Sequence, residues 1–498
     1  MVQRTDYFPP KYAPNWHSLR RHQTPKWLQD GKFGVYTHWG IYSVPAFGQN
    51  GTWYPHNMYR AGNDQAQYHE KTYGPATDFG YKDFIPMFTA EKFDPEEWAR
   101  IIKSSGARFA GPVAEHHDGF SMWDSRVNPW NSAKMGPLRD VTRELESAYR
   151  AQGLKFMVAL HHAEHWWFYP HWRADCDVSD PDFCGLYGEL HNLQGLAPGT
   201  QQGWQDWTAQ DRPSKAFLDM WRAKIDELIE GYQPDLIWFD FGIRFLQEDY
   251  KKRFLADYYN KEQQWGRELA VIYKGHDFAP GSALVDYELG RMDQLTYYDW
   301  VTDTSVDDQG AWSFVSDAGF KTVSSLVHNL VDNVSKNGYL LLNVGPKPDG
   351  SFPDGAKRCL EGMGAWLKVN GEAIFETAPW VSYGEGPTTM EKAGHFSEHK
   401  EVEYTPDDIR YTCRDNVLYA TCLGWPDKNL TIPFNQDRSS SFTTMKRLEA
   451  GEIASVKMLG VDQPLRWSMT REGLHIERPD EPPCEHAYVF KIIRKGTF

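Results

Sequence analysis

The sequence lacks long apolar segments. No run of about 18 consecutive apolar residues occurs among its 498 residues, which excludes an ordinary membrane-spanning helix. The first ten residues, MVQRTDYFPP, have no apolar core of the kind that a secretory signal peptide carries. We therefore expect a cytosolic protein, or the mature form of one whose signal was removed, and the sequence does not distinguish the two.

Cysteine is also scarce. The chain has six cysteines, and none follows the CxxC spacing of zinc sites. Free thiols are the simplest interpretation. In a secreted protein, Cys176 with Cys184 and Cys413 with Cys422 are the pairs that lie close enough in sequence to form disulfides.

Positive charge is in deficit. With 53 lysines and arginines against 68 acidic residues, the net charge is −15, which argues against nucleic acid as a partner. A neutral substrate such as a sugar fits this balance. Aromatic residues make up 15% of the chain and include 21 tryptophans. Aromatic faces stack on sugar rings, although such residues also fill protein cores.

Glycine-rich phosphate-binding motifs are absent as well, which argues against a doubly wound nucleotide-binding sheet. Instead, short apolar runs alternate with amphipathic helices, as in parallel βα units. Polar residues fall where nearly every apolar run stops, and a β/α barrel builds its active site from those strand ends. The predicted strands are 32–40, 108–114, 154–160, 236–240, 269–274 and 339–346, and the predicted helices are 94–104, 140–152, 214–232, 322–335 and 356–369.

The pattern changes near residue 380. Short segments of alternating polarity, separated by turn residues, are typical of an antiparallel β-sandwich. They cover residues 409–413, 417–421, 430–432, 455–459 and 488–492. We therefore predict a TIM-like (β/α) barrel over residues 1–381 and a C-terminal antiparallel β-sandwich domain over residues 382–498.

One predicted strand ends in a carboxylate. Asp240 follows the apolar residues 237–239, so its side chain is expected in the barrel mouth, although a cap or loop role explains an isolated Asp equally well. Retaining glycoside hydrolysis needs two such groups, a nucleophile and an acid/base. Glu288 is a candidate for the second group. Its competitors in the same region are Asp286, Asp293, Asp299 and Asp303.

Histidines cluster at three predicted strand ends, at positions 38, 116–117 and 161–165. Their ring nitrogens can hydrogen-bond sugar hydroxyls. The last group, HHAEH, also matches the HxxEH pattern of zinc peptidases, which would use His161, Glu164 and His165. That pattern requires a helix, whereas here it directly follows a predicted strand, so the metal interpretation is the weaker one.

Five segments stand out as long motifs. They are GVYTHWGIYSVPA at 34–46, EHHDGF at 115–120, WFD at 238–240, VSKNGYLLLNVGP at 334–346 and WLKVNGEAI at 366–374. In this order they resemble glycoside hydrolase family 29, the α-L-fucosidases, over residues 16 to 380. The resemblance implies a barrel followed by a sandwich, and a retaining exo-α-L-fucosidase that releases terminal α-L-fucosyl residues from glycans or glycoconjugates by double displacement, without a cofactor or metal.

The resemblance also implies residue roles. Asp240 matches the family nucleophile. Glu288 is implied as the acid/base, because positions where relatives carry another carboxylate hold Thr52 and Thr302 here. The implied sugar-binding residues are His38, Trp39, Trp53, His116, His117, His161 (where many relatives carry Tyr), Trp238, Lys274 (where some carry Arg) and Phe314, which matches an aromatic position near the sugar's methyl group.

A fucosylated oligosaccharide is the expected partner, with no nucleic acid or membrane, while homo-oligomerisation stays open. Two alternatives remain: a catalytically weak fucose-binding protein, against which the presence of Asp240 and Glu288 counts, and the zinc hydrolase. The aromatic segment 166–212 shows no regular pattern, and we expect it to shape substrate access.

Overall fold

Eight parallel strands close into a barrel in a computed structural model that describes residues 9–190, 212–390, 392–398, 402–434 and 448–496. The strands pair in chain order, and β8 closes the ring against β1. The predicted TIM-like barrel is therefore confirmed. The strands are β1 Phe33–Thr37, β2 Phe109–Glu115, β3 Lys155–Leu160, β4 Leu236–Phe239, β5 Ala270–Lys274, β6 Leu284–Asp286, β7 Trp300–Ser305 and β8 Gly338–Val344.

The barrel strands are apolar because both of their faces are covered. Every residue of β1, β2, β4, β5, β7 and β8 is buried, between the barrel interior and the surrounding helices. Gly111 allows the close approach of β2 to β3, since a Cβ atom there would lie 1.8 Å from the Met157 carbonyl oxygen. The polar residues that follow each strand are thus held at one rim of a rigid wall.

The predicted helices form with polar caps. Asp94, Asp140, Ser214 and Thr322 each accept a hydrogen bond from a backbone N–H in the first turn of the helix that follows. The α-helices are α1 Trp16–Leu19, α2 Lys26–Gly31, α3 Tyr54–Asn57, α4 Asp64–Thr72, α5 Pro95–Ser104, α6 Val141–Ala151, α7 His165–Phe168, α8 Cys184–Tyr187, α9 Lys215–Tyr232, α10 Glu248–Trp265, α11 Val323–Ser335 and α12 Asp354–Asn370.

Two barrel strands, β6 and β7, were not predicted. β6 has only three residues, so its pattern of hydrophobicity is weak. Residues 275–283 and 287–299, all of which the structure describes, contain no helix, so β5, β6 and β7 are joined by loops alone. Glu288 lies in the second of these loops, two residues beyond β6.

The C-terminal region contains two antiparallel sheets. One has five strands in the order β13-β16-β11-β10-β9, and the other has three in the order β12-β15-β14. The first strand, β9, runs through the predicted division between residues 381 and 382, and that division stays a prediction. The strands are β9 Ala378–Glu385, β10 Ile409–Arg414, β11 Val417–Cys422, β12 Leu430–Ile432, β13 Ile453–Met458, β14 Trp467–Met469, β15 Leu474–Ile476 and β16 Tyr488–Arg494.

All six cysteines are free thiols. In the β10–β11 ladder, Cys413 faces Leu418 and Cys422 faces Ile409, so the two cysteines lie at opposite ends of the hairpin. The disulfide pairs considered from sequence spacing are therefore not formed.

Two further expectations concern membrane-spanning helices and the aromatic segment 166–212. In the part of the chain that the structure describes, no helix is long and apolar enough to cross a membrane. Residues 191–211 of the aromatic segment lie outside the described residues, and its remainder contains α7 and α8.

Candidate active site

The carboxyl ends of the barrel strands meet around one cavity. It receives side chains from the ends of β1 to β5 and β7 and from the loops that follow β1, β6 and β7. Its lining residues are Tyr36, His38, Asn50, Thr52, Trp53, His116, His117, His161, Trp238, Asp240, Lys274, Glu288, Asp303 and Trp312.

Asp240 is surrounded by cationic and ring N–H groups. Its Oδ2 lies 2.9 Å from His161 Nδ1 and 3.3 Å from His117 Nε2, and its Oδ1 lies 3.2 Å from Lys274 Nζ. Burial alone would raise the pKa of this carboxyl, but Lys274 and His161 outweigh burial and hold the pKa well below its usual value. Asp240 is therefore an ionised carboxylate.

Glu288, in contrast to Asp240, favours its protonated form. Burial, which is the largest influence, and the neighbouring charges of Asp303 and Asp240 raise its pKa to about 7, although Lys274 opposes the shift. Two carboxyl groups in one cavity with pKa values driven apart are typical of a nucleophile and a general acid.

The ammonium group of Lys274 contacts both carboxyl groups. Its Nζ lies 3.2 Å from Asp240 Oδ1 and 2.8 Å from Glu288 Oε2. These oxygens can therefore be no more than about 6 Å apart, which is below the separation of about 6.5–9.5 Å found in inverting glycosidases. The spacing suits direct attack by one carboxylate rather than attack by an intervening water.

The competing carboxylates are placed differently. Asp303 lines the cavity, but it accepts a hydrogen bond from Tyr36 Oη at 2.9 Å and contacts Lys274 Nζ at 3.1 Å. Asp286 is fully buried, accepts hydrogen bonds from the Trp238 indole and the Asp303 backbone, and does not line the cavity. Asp293 and Asp299 do not line it either.

Four buried histidines, His38, His116, His117 and His161, form a wall of the cavity. His116 and His161 stack with ring centroids 4.3 Å apart, and His38 meets His161 edge-on at 5.0 Å. Burial lowers the pKa of His38, His116 and His161, so these rings are neutral, whereas the contact with Asp240 gives His117 a raised pKa despite its burial.

Two ring nitrogens of this wall have no hydrogen-bond partner among the described residues. Among the described residues, His116 Nδ1 and His161 Nε2 are buried without a hydrogen bond. His38 is oriented by Asn343, whose Oδ1 lies 2.8 Å from its Nδ1. Buried nitrogens without partners are uncommon in folded proteins, and in a cavity they are suited to hydrogen-bonding ligand hydroxyls.

Aromatic side chains complete the cavity. Trp53, Trp238 and Trp312 line it, and the ammonium group of Lys274 lies 4.8 Å from the Trp238 ring centroid. Trp39 does not reach it, because its indole packs against Phe88, Phe93 and Trp98 and donates to the Lys347 carbonyl. Phe314 is not among the lining residues either.

Some lining residues were missed in the sequence. Tyr36 precedes His38 by two positions on a strand, and alternation alone could have placed both on one face. Asp303 belongs to a strand that was not recognised, although it had been named as a competing carboxylate. Trp312 and Asn50 lie in loops and Thr52 lies in a single 3-10 turn, Gly51–Trp53, and no periodicity there indicates which side chain turns inward.

The HxxEH segment does not have the geometry of a zinc site. β3 ends at Leu160 and α7 begins only at His165, so His161 and His165 do not share one helical face. His161 turns to Asp240, while His165 Nδ1 lies 2.8 Å from the His117 carbonyl oxygen. Glu164 is buried 3.6 Å from His117 Nε2, and burial raises its pKa to about 7.

Comparisons with known proteins agree with this geometry. The family profile for alpha-L-fucosidase matches residues 2–372, and the profile for the alpha-L-fucosidase C-terminal domain matches residues 403–493. The chain is 29% identical to the tissue alpha-L-fucosidase of Rattus norvegicus, with 98% of this chain and 93% of the relative covered. It is 30% identical to the plasma alpha-L-fucosidase of Pongo abelii, with 97% and 93% covered.

Solved structures give the same result. The crystal structure of Thermotoga maritima alpha-fucosidase in complex with fucose superposes with a TM-score of 0.74 at 28% identity, covering 97% of this chain and all of the other. The same enzyme in complex with a mechanism-based inhibitor matches equally well, with the same TM-score, identity and coverage. The barrel, the C-terminal sheets and both profiles extend over nearly the whole sequence, and the chain belongs to the α-L-fucosidase family of glycoside hydrolases.

Proposed function

We propose that this exo-α-L-fucosidase acts by a retaining, two-step mechanism with Asp240 as nucleophile and Glu288 as acid/base. Asp240 attacks C1 of the fucosyl residue while Glu288 protonates the departing oxygen. Glu288 then removes a proton from the water that hydrolyses the glycosyl-enzyme. The substrate is a fucosylated oligosaccharide or glycoconjugate.

The observation that carries this proposal is the pair of carboxyl groups on either side of Lys274. An ionised Asp240 and a protonated Glu288 are the states that the first step requires, and the directions of their pKa shifts match those states. Lys274 neutralises one negative charge in the resting site, so both groups can be held close together.

We assign the sugar-binding roles from the placement of the side chains. The neutral His38, His116 and His161 face the cavity and can exchange hydrogen bonds with hydroxyls. Lys274 and His117 contact the nucleophile, and Trp53 and Trp238 provide apolar surface. We propose that Trp312, rather than Phe314, contacts the methyl group of the sugar, and that Trp39 supports the loop behind His38 without touching substrate.

The stereochemistry of the first product tests the mechanism. Proton NMR of an aryl α-L-fucoside digested at high enzyme concentration should show α-fucose first, with the β anomer appearing only later by mutarotation. β-fucose as the first product would mean a single displacement by water and would overturn the assignment of Asp240 as a nucleophile.

The pH profile should be asymmetric. Asp240 must be ionised, and its lowered pKa keeps it so, which predicts no acidic limb in kcat/KM down to about pH 4. Glu288 must be protonated, and activity should fall as pH rises through its pKa of about 7. Initial rates in buffers of constant ionic strength measure both limbs. A basic limb at the ordinary pKa of a glutamic acid would contradict the assignment.

Chelation should leave activity unchanged. Two groups in the described residues have ligand atoms within 4.8 Å of one another: His38 with His116 and His161, and His117 with His161 and Asp240. Lys274 Nζ lies 3.2 Å from Asp240, and its positive charge opposes a metal ion there. We expect the same kcat/KM before and after dialysis against EDTA. A loss restored by zinc would return the metal hydrolase to consideration.

A further inference from the structure

The loop that carries Glu288 is held on two sides. On the barrel side, the backbone N–H groups of Tyr287 and Leu289 donate to the carbonyl oxygens of Val301 and Asp303, both in β7, at 2.9 Å each. Leu289 has a φ of 44°, a left-handed conformation that a leucine rarely adopts, so the backbone at this point depends on its surroundings.

The other side is held by the connection between β9 and β10, more than 100 residues away in sequence. Phe396 N–H donates to the Glu288 carbonyl oxygen at 2.7 Å, and Glu398 N–H donates to that of Leu289 at 2.8 Å. Gly394 and Arg291 form an antiparallel bridge, in which Gly394 N–H donates to the Arg291 carbonyl oxygen at 2.9 Å. Residues 394–398 thus form an irregular segment, with a turn at 395–396, that is hydrogen-bonded along the Glu288 loop.

One side chain of this segment reaches Glu288 directly. The backbone N–H of Glu288 donates to His395 Nδ1 at 3.0 Å. The ring of His395 lies between Phe241 and Tyr287, at centroid distances of 5.4 and 5.2 Å. Burial and the charge of Lys274 lower the pKa of His395 to about 4, so at neutral pH its Nδ1 is free to accept this hydrogen bond.

The segment is itself anchored to the barrel. Glu398 forms an ion pair with Lys321 at 2.7 Å, and the same ammonium group donates to Thr304 Oγ1 of β7 at 2.6 Å. Ser397 Oγ accepts a hydrogen bond from Arg291 N–H at 2.7 Å. The backbone of Glu288 is therefore bounded by β7 on one side and by residues 394–398 on the other.

We propose that residues 394–398 are part of the catalytic apparatus and that His395 is a positioning residue, which fixes the backbone of Glu288 so that its carboxyl group reaches the leaving-group oxygen. This inference rests on the proposed role of Glu288. A displacement of about 1 Å in a catalytic group costs about 10²-fold in rate, so the support of this loop matters for chemistry as well as for stability.

The test compares leaving groups. His395→Leu removes the acceptor, and His395→Asn keeps one, because Asn Oδ1 can occupy the place of Nδ1. His475→Leu is a matched control, since His475 Nδ1 likewise makes a side-chain hydrogen bond, with Thr431 Oγ1 at 2.8 Å, but between β12 and β15 of the three-stranded sheet. The substrates are phenyl α-L-fucoside, whose phenol leaves only with protonation, and 2-chloro-4-nitrophenyl α-L-fucoside, whose phenolate leaves with little need of a proton.

For His395→Leu we expect kcat/KM for the phenyl fucoside to fall about 10- to 100-fold, and that for the activated fucoside to change less than about threefold. His395→Asn should recover most of the loss, and His475→Leu should affect both substrates equally or neither. An equal loss on both substrates in His395→Leu, or no loss at all, would overturn the positioning role.

The same substrates separate this proposal from the assignment of Glu288. If Glu288→Ala shows the leaving-group dependence and His395→Leu does not, only the positioning role fails. If Glu288→Ala itself shows no such dependence, the acid/base assignment fails and the inference falls with it. Circular dichroism of each variant establishes that the fold is retained, and Glu398→Gln, which loosens the same segment from Lys321, should show a weaker form of the same dependence if the segment acts as proposed.

Discussion

Replacing Asp240 with glycine should abolish turnover, with kcat lowered by about 10⁴- to 10⁶-fold, the range found when a catalytic nucleophile is removed. The variant keeps Glu288 and the histidines, so it can still bind and protonate the substrate. However, it has no group that can attack C1. Its kcat for an aryl α-L-fucoside measures the effect.

Added azide distinguishes loss of the nucleophile from general damage. In Asp240→Gly a small anion can enter the space of the missing carboxylate and attack C1 directly, which should yield β-L-fucosyl azide, inverted relative to the substrate. Mass spectrometry and NMR identify the product. Retention of near-normal activity without azide would refute the assignment.

Asp235 lies at the opposite end of β4 from Asp240 and provides a matched control. It precedes β4, is buried, and forms an ion pair with Arg150 at 2.9 Å. Asp235→Asn should lower Tm because it weakens the ion pair of a buried carboxylate, yet leave kcat largely unchanged, since Asp235 does not line the cavity. A comparable loss of kcat in both variants would indicate that Asp240→Gly acts through folding.

Replacing Glu288 with alanine should cause a loss that depends on the leaving group. General acid catalysis contributes about 10²- to 10⁴-fold, so kcat/KM for phenyl α-L-fucoside should fall within that range. For 2-chloro-4-nitrophenyl α-L-fucoside, the fall should be much smaller, because this phenolate departs without a proton. The basic limb of the pH profile, which we attribute to the Glu288 pKa of about 7, should disappear.

Azide again identifies the step. In Glu288→Ala the glycosyl-enzyme forms on Asp240 but lacks a base to activate water, so azide should raise kcat with the activated substrate and yield α-L-fucosyl azide, with retained configuration. A β product, or a uniform loss on both substrates, would assign the acid/base to another group. Asp303, which also lines the cavity, would then be the first to replace.

Much of the site could be predicted because it follows strands with strong patterns. β2, β3, β4 and β8 are each preceded by a helix with a polar N-cap, and His38, His116, His161 and Asp240 come immediately after β1, β2, β3 and β4. A parallel barrel places such residues at one rim, so their convergence needed no knowledge of distances. The family motifs added the roles, since the chemistry of fucose recognition is not readable from periodicity.

Other features had no local signal. β6, β14 and β15 have three residues each, which gives alternation little to show, although β12, of the same length, was predicted. Trp39 belongs to a motif and Phe314 matches an aromatic position of the family, yet the direction of a side chain near a strand end or in a loop depends on the packing around it. Trp39 therefore lies among Phe88, Phe93 and Trp98, and Trp312 lines the cavity.

The sequence by itself determined the alternation of strands and helices, the fold class and the rim on which Asp240 and the histidines lie, because these depend on residues close together in the chain. Only the tertiary structure decided the protonation states of Asp240 and Glu288, which follow from burial and from the position of Lys274 between them. It alone also brought residues 394–398 against the Glu288 loop, since a contact across more than 100 residues is determined by how the two domains pack.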